Sequence, residues 1–307
     1  MNTMSNLTIT FMYIFLFVFG SIVGSFLNVV ILRTEKEKEI VREPSHCDHC
    51  GHKLRIWENI PIFSYVFLGG KCSQCKKKIS IINPFSEILM GLLFMLVFYR
   101  FLQIPFYSAS LFTLGGLSMI GNFLPLVLWL AYISVLVLIS VFDIRNLIVL
   151  DSFLFAGFFV ALIGEGSLLL VNKYQPIVFL EYYRNWLGGA SFFFPQISGI
   201  WNNLLGLVIG FLVIQIIVWV SKGRAMGDGD PYIAGFIGFI LGVPAVFAFL
   251  FFSFLIGGFV GTVLILTGKK KFKQYVAFGP YLALGGLMTF LWGEKLLQMY
   301  FNFILSI

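Results

Sequence analysis

Charged residues are scarce in this chain: they make up 11% of its 307 residues, whereas 59% are hydrophobic. That balance excludes an ordinary soluble globular protein and favours a membrane protein. Apolar runs of about 17–25 residues, the length that a bilayer requires, support this interpretation. They lie at 7–32, 84–102, 123–142, 147–164, 200–220 and 278–293, with room for two more in 231–267. The sequence therefore predicts an all-α polytopic membrane protein with about eight transmembrane helices.

The first apolar run lacks both a basic leader and a small-residue cleavage site. It is also longer than the core of a cleavable signal peptide, so we expect it to be retained as a membrane anchor.

Lysine and arginine are distributed unevenly between the loops. Ten of the 21 lie in the loop at 33–83. If that loop is cytoplasmic, eight alternating spans place 17 basic residues inside and four outside, as the positive-inside rule requires. The outside residues are Arg100, Lys173, Arg184 and Lys295. We therefore assign the basic charge to topology and anionic lipid, and expect no nucleic-acid partner.

Histidine is rarer still, with only His46, His49 and His52, all in the loop at 33–83. The chain contains no H-E-x-x-H motif. Serine–histidine catalysis and histidine-ligated metalloprotease chemistry are therefore excluded from the membrane part. A serine–lysine pair stays open, although no outward lysine has a distinctive serine context. Carboxylates are the groups left for a membrane hydrolase.

Aspartate is also rare, and four of the five aspartates surround two inward-facing segment ends: Asp143, Asp151, Asp228 and Asp230. A carboxylate at the edge of the hydrocarbon is costly unless it faces a cavity or a partner, which makes Asp143 and Asp230 candidate catalytic residues. Two adjacent carboxyl groups share one proton, so one can activate water while the other polarises a carbonyl. Asp228 is expected to be a solvated loop residue and Asp151 an inward polar residue of its helix.

Glycines precede the second aspartate, and Gly227 and Gly229 would let the backbone leave helical geometry and approach a substrate strand. Structural alternatives stand beside this hypothesis. Asp230 also fits the N-cap of a helix that begins with the proline after it. Asp143 could pair with Arg145 or face headgroup water.

All four cysteines lie in one loop, as the C-x-x-C pairs Cys47/Cys50 and Cys72/Cys75. Two such pairs separated by 21 residues are typical of a closed, four-thiolate structural zinc site. Disulfides are the main alternative, but a cytoplasmic loop would keep its thiols reduced. We expect the three histidines to be solvated loop residues rather than zinc ligands. No internal repeat is evident along the chain.

The order of these motifs resembles the bacterial type IV prepilin peptidases, a family of aspartic membrane proteases with a G-x-G-D motif. The resembling segments are 24–30, the two cysteine pairs, 59–65, 83–87, 143–151, 227–230 and 278–283. The resemblance implies that Asp143 and Asp230 cleave the leader peptides of type IV prepilins or pseudopilins at the cytoplasmic face of the bacterial inner membrane. Many members also N-methylate the new terminus with S-adenosylmethionine.

The resemblance also points to Gly24, Asn28 and Glu87 as candidates for substrate binding or methyl transfer, although Glu87 equally fits a cap in the first turn of the second span. Leu150 and Tyr232 depart from the proline and lysine that the family usually has there. These departures do not touch the aspartate pair.

The expected organisation has a first transmembrane helix at 1–32, a cytoplasmic zinc-knuckle loop at 33–83, and a seven-helix intramembrane aspartic protease core at 84–307. The aromatic outward loop at 165–199 is expected to form an interfacial belt. Rival hypotheses are a transporter that uses the aspartates as proton or cation sites, a zinc or redox membrane protein with structural aspartates, and a presenilin-like protease, although that class lacks the cysteine loop.

Overall fold

The structure is a computed structural model that describes residues 6–37, 39, 45–47, 49–103, 117–174, 200–224, 226–243, 245–269 and 276–305. Most of the predicted outward loop, at 175–199, and the basic cluster after Lys269 lie outside the described residues. The chain divides into two compact units, Met1–Ala109 and Ser110–Ile307. Each unit is described by itself.

The first unit contains two long helices, α1 (Asn6–Glu35) and α3 (Ile82–Gln103). Between them lie a 3₁₀ turn (Ile56–Asn59) and the short helix α2 (Phe63–Phe67). Helices α1 and α3 run antiparallel, because Gly20 contacts Met90 while Gly24 contacts Ser86. A Cβ atom at Gly24 would lie 2.9 Å from the Ser86 carbonyl oxygen, so glycine is what permits this close approach.

The described part of the second unit contains six helices. They are α4 (Leu117–Asn146), α5 (Asp151–Tyr174), α6 (Ile200–Ser221), α7 (Asp230–Leu241), α8 (Ala245–Leu266) and α9 (Gly279–Leu305). Helix α7 packs closely on α6, where the backbones of Gly206 and Gly238 touch. Every residue of α7 except Tyr232 is buried. An apolar helix that is covered all round belongs to the core of its bundle.

The prediction of an all-α polytopic membrane protein is confirmed. Five helices in the described ranges, α1, α3, α4, α6 and α8, are long and apolar enough to cross a membrane. Together with α5, α7 and α9 they form eight helices in the predicted order. Helix α7 differs from the expected full span: its 12 residues extend over about 18 Å, less than the roughly 30 Å of hydrocarbon. Helix α3, which the predicted core at 84–307 includes, belongs to the first compact unit.

Candidate active site and metal centre

The second unit brings together two aspartates that are 87 positions apart in the sequence. Asp143 lies in the last turn of α4, and Asp230 is the first residue of α7. Their side chains are buried, with 5% and 4% of their surface exposed. Both line one cavity of about 510 Å³. The cavity is also lined by Tyr232, Asp151 and the segments 147–149, 227–229 and 276–278.

Asp143 is held by the start of α9. Its Oδ2 atom accepts a hydrogen bond of 3.1 Å from the backbone N–H of Gly279. A helix N-terminus carries partial positive charge, which favours a carboxylate at this position. A Cβ atom at residue 279 would lie 2.6 Å from that oxygen, so only glycine fits without displacement. The sequence signal was the segment 278–283, whose chemical role the sequence alone did not reveal.

Asp230 is held by the loop that precedes it. Its Oδ2 atom accepts a hydrogen bond of 2.8 Å from the backbone N–H of Gly227. The N-cap of α7 is Gly229, so the alternative that Asp230 is the N-cap is wrong by one position.

The two glycines of the loop have different surroundings. A Cβ atom at Gly229 would lie 2.6 Å from the Cβ atom of Val149. At Gly227 the nearest atom would be Asp230 Oδ2, at an ordinary contact distance of 3.6 Å. Gly229 therefore permits a close approach between the loop and the segment after Asp143, whereas Gly227 contributes mainly its N–H group.

The other two aspartates of this region line the same cavity. Asp228 is exposed, as expected for a solvated loop residue, and Asp151 is an exposed residue at the start of α5. Asp143 is buried, which is inconsistent with a position in headgroup water. A buried pair of carboxyl groups beside a cavity can exchange protons with a bound water and a bound carbonyl.

The first unit brings the four cysteines together. The sulfur atoms of Cys47, Cys50, Cys72 and Cys75 all lie within 4.8 Å of one another. The distance from Cys47 Sγ to Cys75 Sγ is 3.9 Å. A tetrahedral zinc with Zn–S bonds of about 2.3 Å would hold its sulfurs about 3.8 Å apart. The four side chains therefore fit a metal ion as they stand.

The two cysteine pairs occupy the same local fold, displaced by 25 positions. Cys47 N donates to His52 O, and Cys72 N donates to Lys77 O, at 2.9 Å in both. Isolated antiparallel bridges join His46 to Lys53 and Lys71 to Lys78. The expectation of no internal repeat is therefore corrected by a ten-residue structural repeat, 45–54 and 70–79. The sequence hides it because few residues besides the cysteines coincide.

Backbone N–H groups prepare one of these sulfurs for metal. The N–H groups of Cys75 and Gln74 lower the pKa of the Cys72 thiol to about 6. The thiolate is the form that binds metal, so a lowered pKa favours metal binding at this sulfur.

A buried glutamate joins the two repeats, and sequence reasoning missed it. Glu58 Oε2 accepts a hydrogen bond of 2.8 Å from the N–H of Arg55 and lies 3.3 Å from His52 Nε2. The Ser73 hydroxyl donates to the same carboxylate. These contacts, with the Arg55 N–H foremost, lower the pKa of Glu58. The expectation that His52 is solvated is therefore wrong, while His49 is exposed as expected.

Comparison with known proteins identifies the family. Residues 18–101 match the model described as the Bacterial Peptidase A24 N-terminal domain. Over 291 residues the chain is 30% identical to the prepilin leader peptidase/N-methyltransferase of Bacillus subtilis (strain 168), which covers 95% of this chain and 98% of the relative. The chain belongs to the prepilin leader peptidase/N-methyltransferase family.

Other relatives carry the same name. The protein from Stutzerimonas stutzeri is 28% identical over 313 residues, covering 93% of this chain and 92% of the relative. The protein from Pseudomonas putida is 28% identical over 305 residues, covering 91% and 90%. No solved structure matches the chain.

The two departures from the usual prepilin peptidase pattern lie beside the cavity. Tyr232 lines it and contacts Phe211 edge to face, with ring centroids 5.4 Å apart. The Leu150 carbonyl accepts hydrogen bonds from the N–H groups of Phe153 and Leu154, at the start of α5. Neither departure alters the backbone contacts of Asp143 and Asp230.

The three residues predicted for substrate binding or methyl transfer lie at the interface of α1 and α3. Gly24 packs against the α3 backbone. Asn28 Nδ2 donates to Ser86 Oγ and to the Asn83 carbonyl oxygen. Glu87 Oε2 accepts a hydrogen bond of 2.7 Å from the N–H of Ile62. Glu87 therefore holds α2 rather than capping its own helix.

Proposed function

We propose that this chain is an intramembrane aspartic endopeptidase that cleaves the leader peptides of type IV prepilins or pseudopilins at the cytoplasmic face of the bacterial inner membrane. The observation that carries the proposal is the meeting of two buried aspartates, distant in sequence, at one cavity. Its substrate class follows from the names of the relatives.

The proposed reaction uses Asp143 and Asp230 as one acid–base pair. The ionised carboxylate takes a proton from a water molecule, whose oxygen attacks the scissile carbonyl carbon. The protonated carboxyl group donates a hydrogen bond to the carbonyl oxygen. When the C–N bond breaks, the leaving nitrogen takes a proton from the pair. The protonation states belong to the pair as a whole, so neither residue is assigned the acid role.

The backbone contacts support this use of the pair. Each carboxyl group has one oxygen fixed by a glycine N–H, from Gly279 or from Gly227. That contact orients the carboxyl group without a second charged partner. The other hydrogen-bonding positions of its two oxygens are then left for water and substrate. Fixed geometry of this kind is what gives a positioned acid or base its advantage over bulk solvent.

The cysteine site is proposed to hold a structural zinc ion. The four cysteine thiolates would hold it in a closed tetrahedral shell, and a closed shell supplies folding energy rather than an open position for substrate. This zinc would fix the two ten-residue repeats against each other.

N-methyltransfer with S-adenosylmethionine is part of the relatives' names. Gly24, Asn28 and Glu87 make contacts between α1, α2 and α3. We therefore assign them no step in methyl transfer.

Co-expression with a prepilin tests the proposal, read by mass spectrometry of the mature N-terminus. The wild-type protein is expected to release the leader peptide, and the mass also reports any added methyl group. Asp143→Asn and Asp230→Asn are each expected to abolish processing while the protein stays inserted and folded. Asp228→Asn is the matched control, since this exposed aspartate lines the same cavity. Processing that survives either of the first two changes removes that residue from the mechanism.

A further inference from the structure

The loop between the two cysteine repeats carries an exposed apolar surface. Six of its side chains form what we name the 56–67 patch: Ile56, Trp57, Ile60, Phe63, Val66 and Phe67. Ile56 is 91% exposed and Phe67 is 81% exposed. Unlike the apolar surfaces of α1 and α3, this one belongs to a loop. Apolar surface that is gathered in one place and rimmed by polar residues marks an interaction site.

Exposed positive charge flanks the patch in the sequence. Within residues 49–81 six basic side chains are exposed: Lys53, Arg55, Lys71, Lys76, Lys77 and Lys78. The acidic residue of this stretch, Glu58, is buried. Apolar and aromatic side chains beside clustered lysines form the pattern that binds an anionic membrane surface.

The patch lies beside the ends of the membrane helices rather than above them. Glu87 bonds the N–H of Ile62, at the start of α2, and the hydroxyl of Ser25 in α1. Because Glu87 is five residues into α3, this contact lies about 7.5 Å along the helix from its first residue. Helices α1 and α3 are both candidate membrane spans, so this contact fixes α2 near the start of the second of them.

A strained turn sets the direction of α2. Ile62 has φ of 64° and ψ of −53°, and the N–H of Phe63 bonds the Pro61 carbonyl oxygen at 2.6 Å. This is the rare positive-φ form of the γ-turn, which β-branched residues seldom adopt. The Glu87 bond to the same residue stabilises it.

More apolar side chains are exposed where the candidate membrane span α3 begins. Ile81, Ile82 and Phe85, at the start of α3, are 71%, 54% and 64% exposed. Helix α3 crosses the membrane with these side chains at its entry. Because Glu87 of α3 holds Ile62 at the start of α2, the exposed apolar side chains of α2 lie near this end of α3.

We propose that the 56–67 patch is inserted into the interface of the bilayer. Its aromatic and aliphatic side chains lie among the upper acyl chains, and the surrounding lysines bind anionic phospholipid headgroups. The loop is then fixed to the membrane at both helix ends and at its middle. This inference does not depend on the peptidase reaction.

Photo-crosslinking in the full-length protein tests the inference. Benzoylphenylalanine is placed at Phe67 in protein reconstituted into nanodiscs of phosphatidylcholine with phosphatidylglycerol. The same probe at Phe11, an exposed residue of the membrane helix α1, is the positive control. The probe at Gln74, exposed in the second cysteine repeat, is the solvent control. Intact mass spectrometry reports lipid adducts.

We expect the probe at Phe67 to give lipid adducts at a yield near that of Phe11 and several-fold above that of Gln74. The Phe67 yield is expected to fall several-fold in nanodiscs of phosphatidylcholine alone, whereas that of Phe11 stays constant. A Phe67 yield equal to that of Gln74 overturns the proposal. Adducts to another protein instead of lipid overturn it as well, and equal yields in both lipid compositions refute the role of the lysines.

Discussion

Among the residues that the structure describes, each of the two compact units contains two buried carboxylates, and the pairs differ in what surrounds them. Glu58 and Glu87 in the first unit are 6% and 8% exposed, and Asp143 and Asp230 in the second are 5% and 4% exposed. The exposed fraction of the side chains therefore does not distinguish the glutamate pair from the aspartate pair. The glutamates bind loop backbone and neighbouring side chains, whereas each aspartate binds one glycine N–H and otherwise lines a cavity.

That difference decides what each carboxylate can do. A buried carboxylate is costly unless hydrogen bonds compensate for lost water. Glu58 and Glu87 receive that compensation from the loops that they hold in place. The aspartates line a cavity, so in the proposed reaction their remaining bonds are made to water and substrate. The glutamates should therefore affect stability, and the aspartates activity.

The largest expected effect is on cleavage. Asp143→Asn and Asp230→Asn keep an oxygen that can accept the glycine N–H but lose the exchangeable proton. We expect prepilin cleavage to fall by about 10²–10⁴-fold, the usual contribution of a positioned acid or base. The thermal midpoint in detergent should change little. If the thermal midpoint falls steeply in either variant, the aspartates have a structural role like that of the two glutamates.

Removing the cysteine site should disrupt the first unit selectively. Cys47→Ser together with Cys75→Ser is expected to lower bound zinc from about one ion per chain to none, since a closed site needs all four ligands. Elemental analysis reports the metal, and hydrogen exchange over 45–80 reports the loop. A wild-type chain without tightly bound metal, or with reversible thiol oxidation, would instead favour a redox role.

Two neighbouring glycines offer a matched pair. Gly229→Ala forces a Cβ atom against Val149, whereas Gly227→Ala meets only ordinary contacts. We expect Gly229→Ala to lower cleavage by about 10²-fold, as displacement of a catalytic group by about 1 Å can do. Gly227→Ala should stay near wild type. The double change Gly229→Ala with Val149→Gly removes the clash and should restore activity; its failure to do so would show that another contact is responsible.

Glu87 should behave as a structural residue. Glu87→Ala leaves the buried N–H of Ile62 without its acceptor, which is expected to cost about 1–3 kcal/mol of stability. Glu87→Gln keeps an acceptor and should cost less. Thermal unfolding measures both, with cleavage normalised to folded protein. If a fully folded Glu87→Gln protein lost cleavage activity, Glu87 would have a role in cleavage and not only in stability.

The smallest effect concerns the internal repeat. Lys76, with φ of 58°, occupies the position that Gly51, with φ of 70°, occupies in the first repeat. A left-handed conformation costs a residue with a side chain about 1 kcal/mol relative to glycine. Lys76→Gly should therefore raise the stability of the metal-bound loop slightly, and Gly51→Ala should lower it. The same sign for both changes would argue against the equivalence of the repeats.

The features that depend on short stretches of sequence were predictable. Apolar runs indicated the eight helices in order, and the C-x-x-C spacing indicated the cysteine cluster. The scarcity of other catalytic groups singled out Asp143 and Asp230. Their meeting at one cavity was a hypothesis, because it depends on how α4, α7 and α9 pack.

The features that depend on tertiary contacts were not predictable. Glu58 lies in an ordinary loop sequence, and only the fold brings His52 and Ser73 to it. The contact between Gly279 and Asp143 joins residues 136 positions apart. Helix α7 was expected to span the bilayer because the uncharged stretch 231–267 is long enough for two spans, and its 12-residue length appears only in the structure.

The glycine contact between α6 and α7 has a consequence for how a peptide enters. Backbones that touch directly, as at Gly206 and Gly238, leave no side chain whose rotation would let the two helices slide. Asp230 therefore lies on a helix, α7, that is held rigidly against α6. Asp143, by contrast, is followed by the non-helical residues 147–150. When the cavity widens to admit a polypeptide, we expect the hinge to lie in those four residues. The part that moves should then be the end of α4 that carries Asp143.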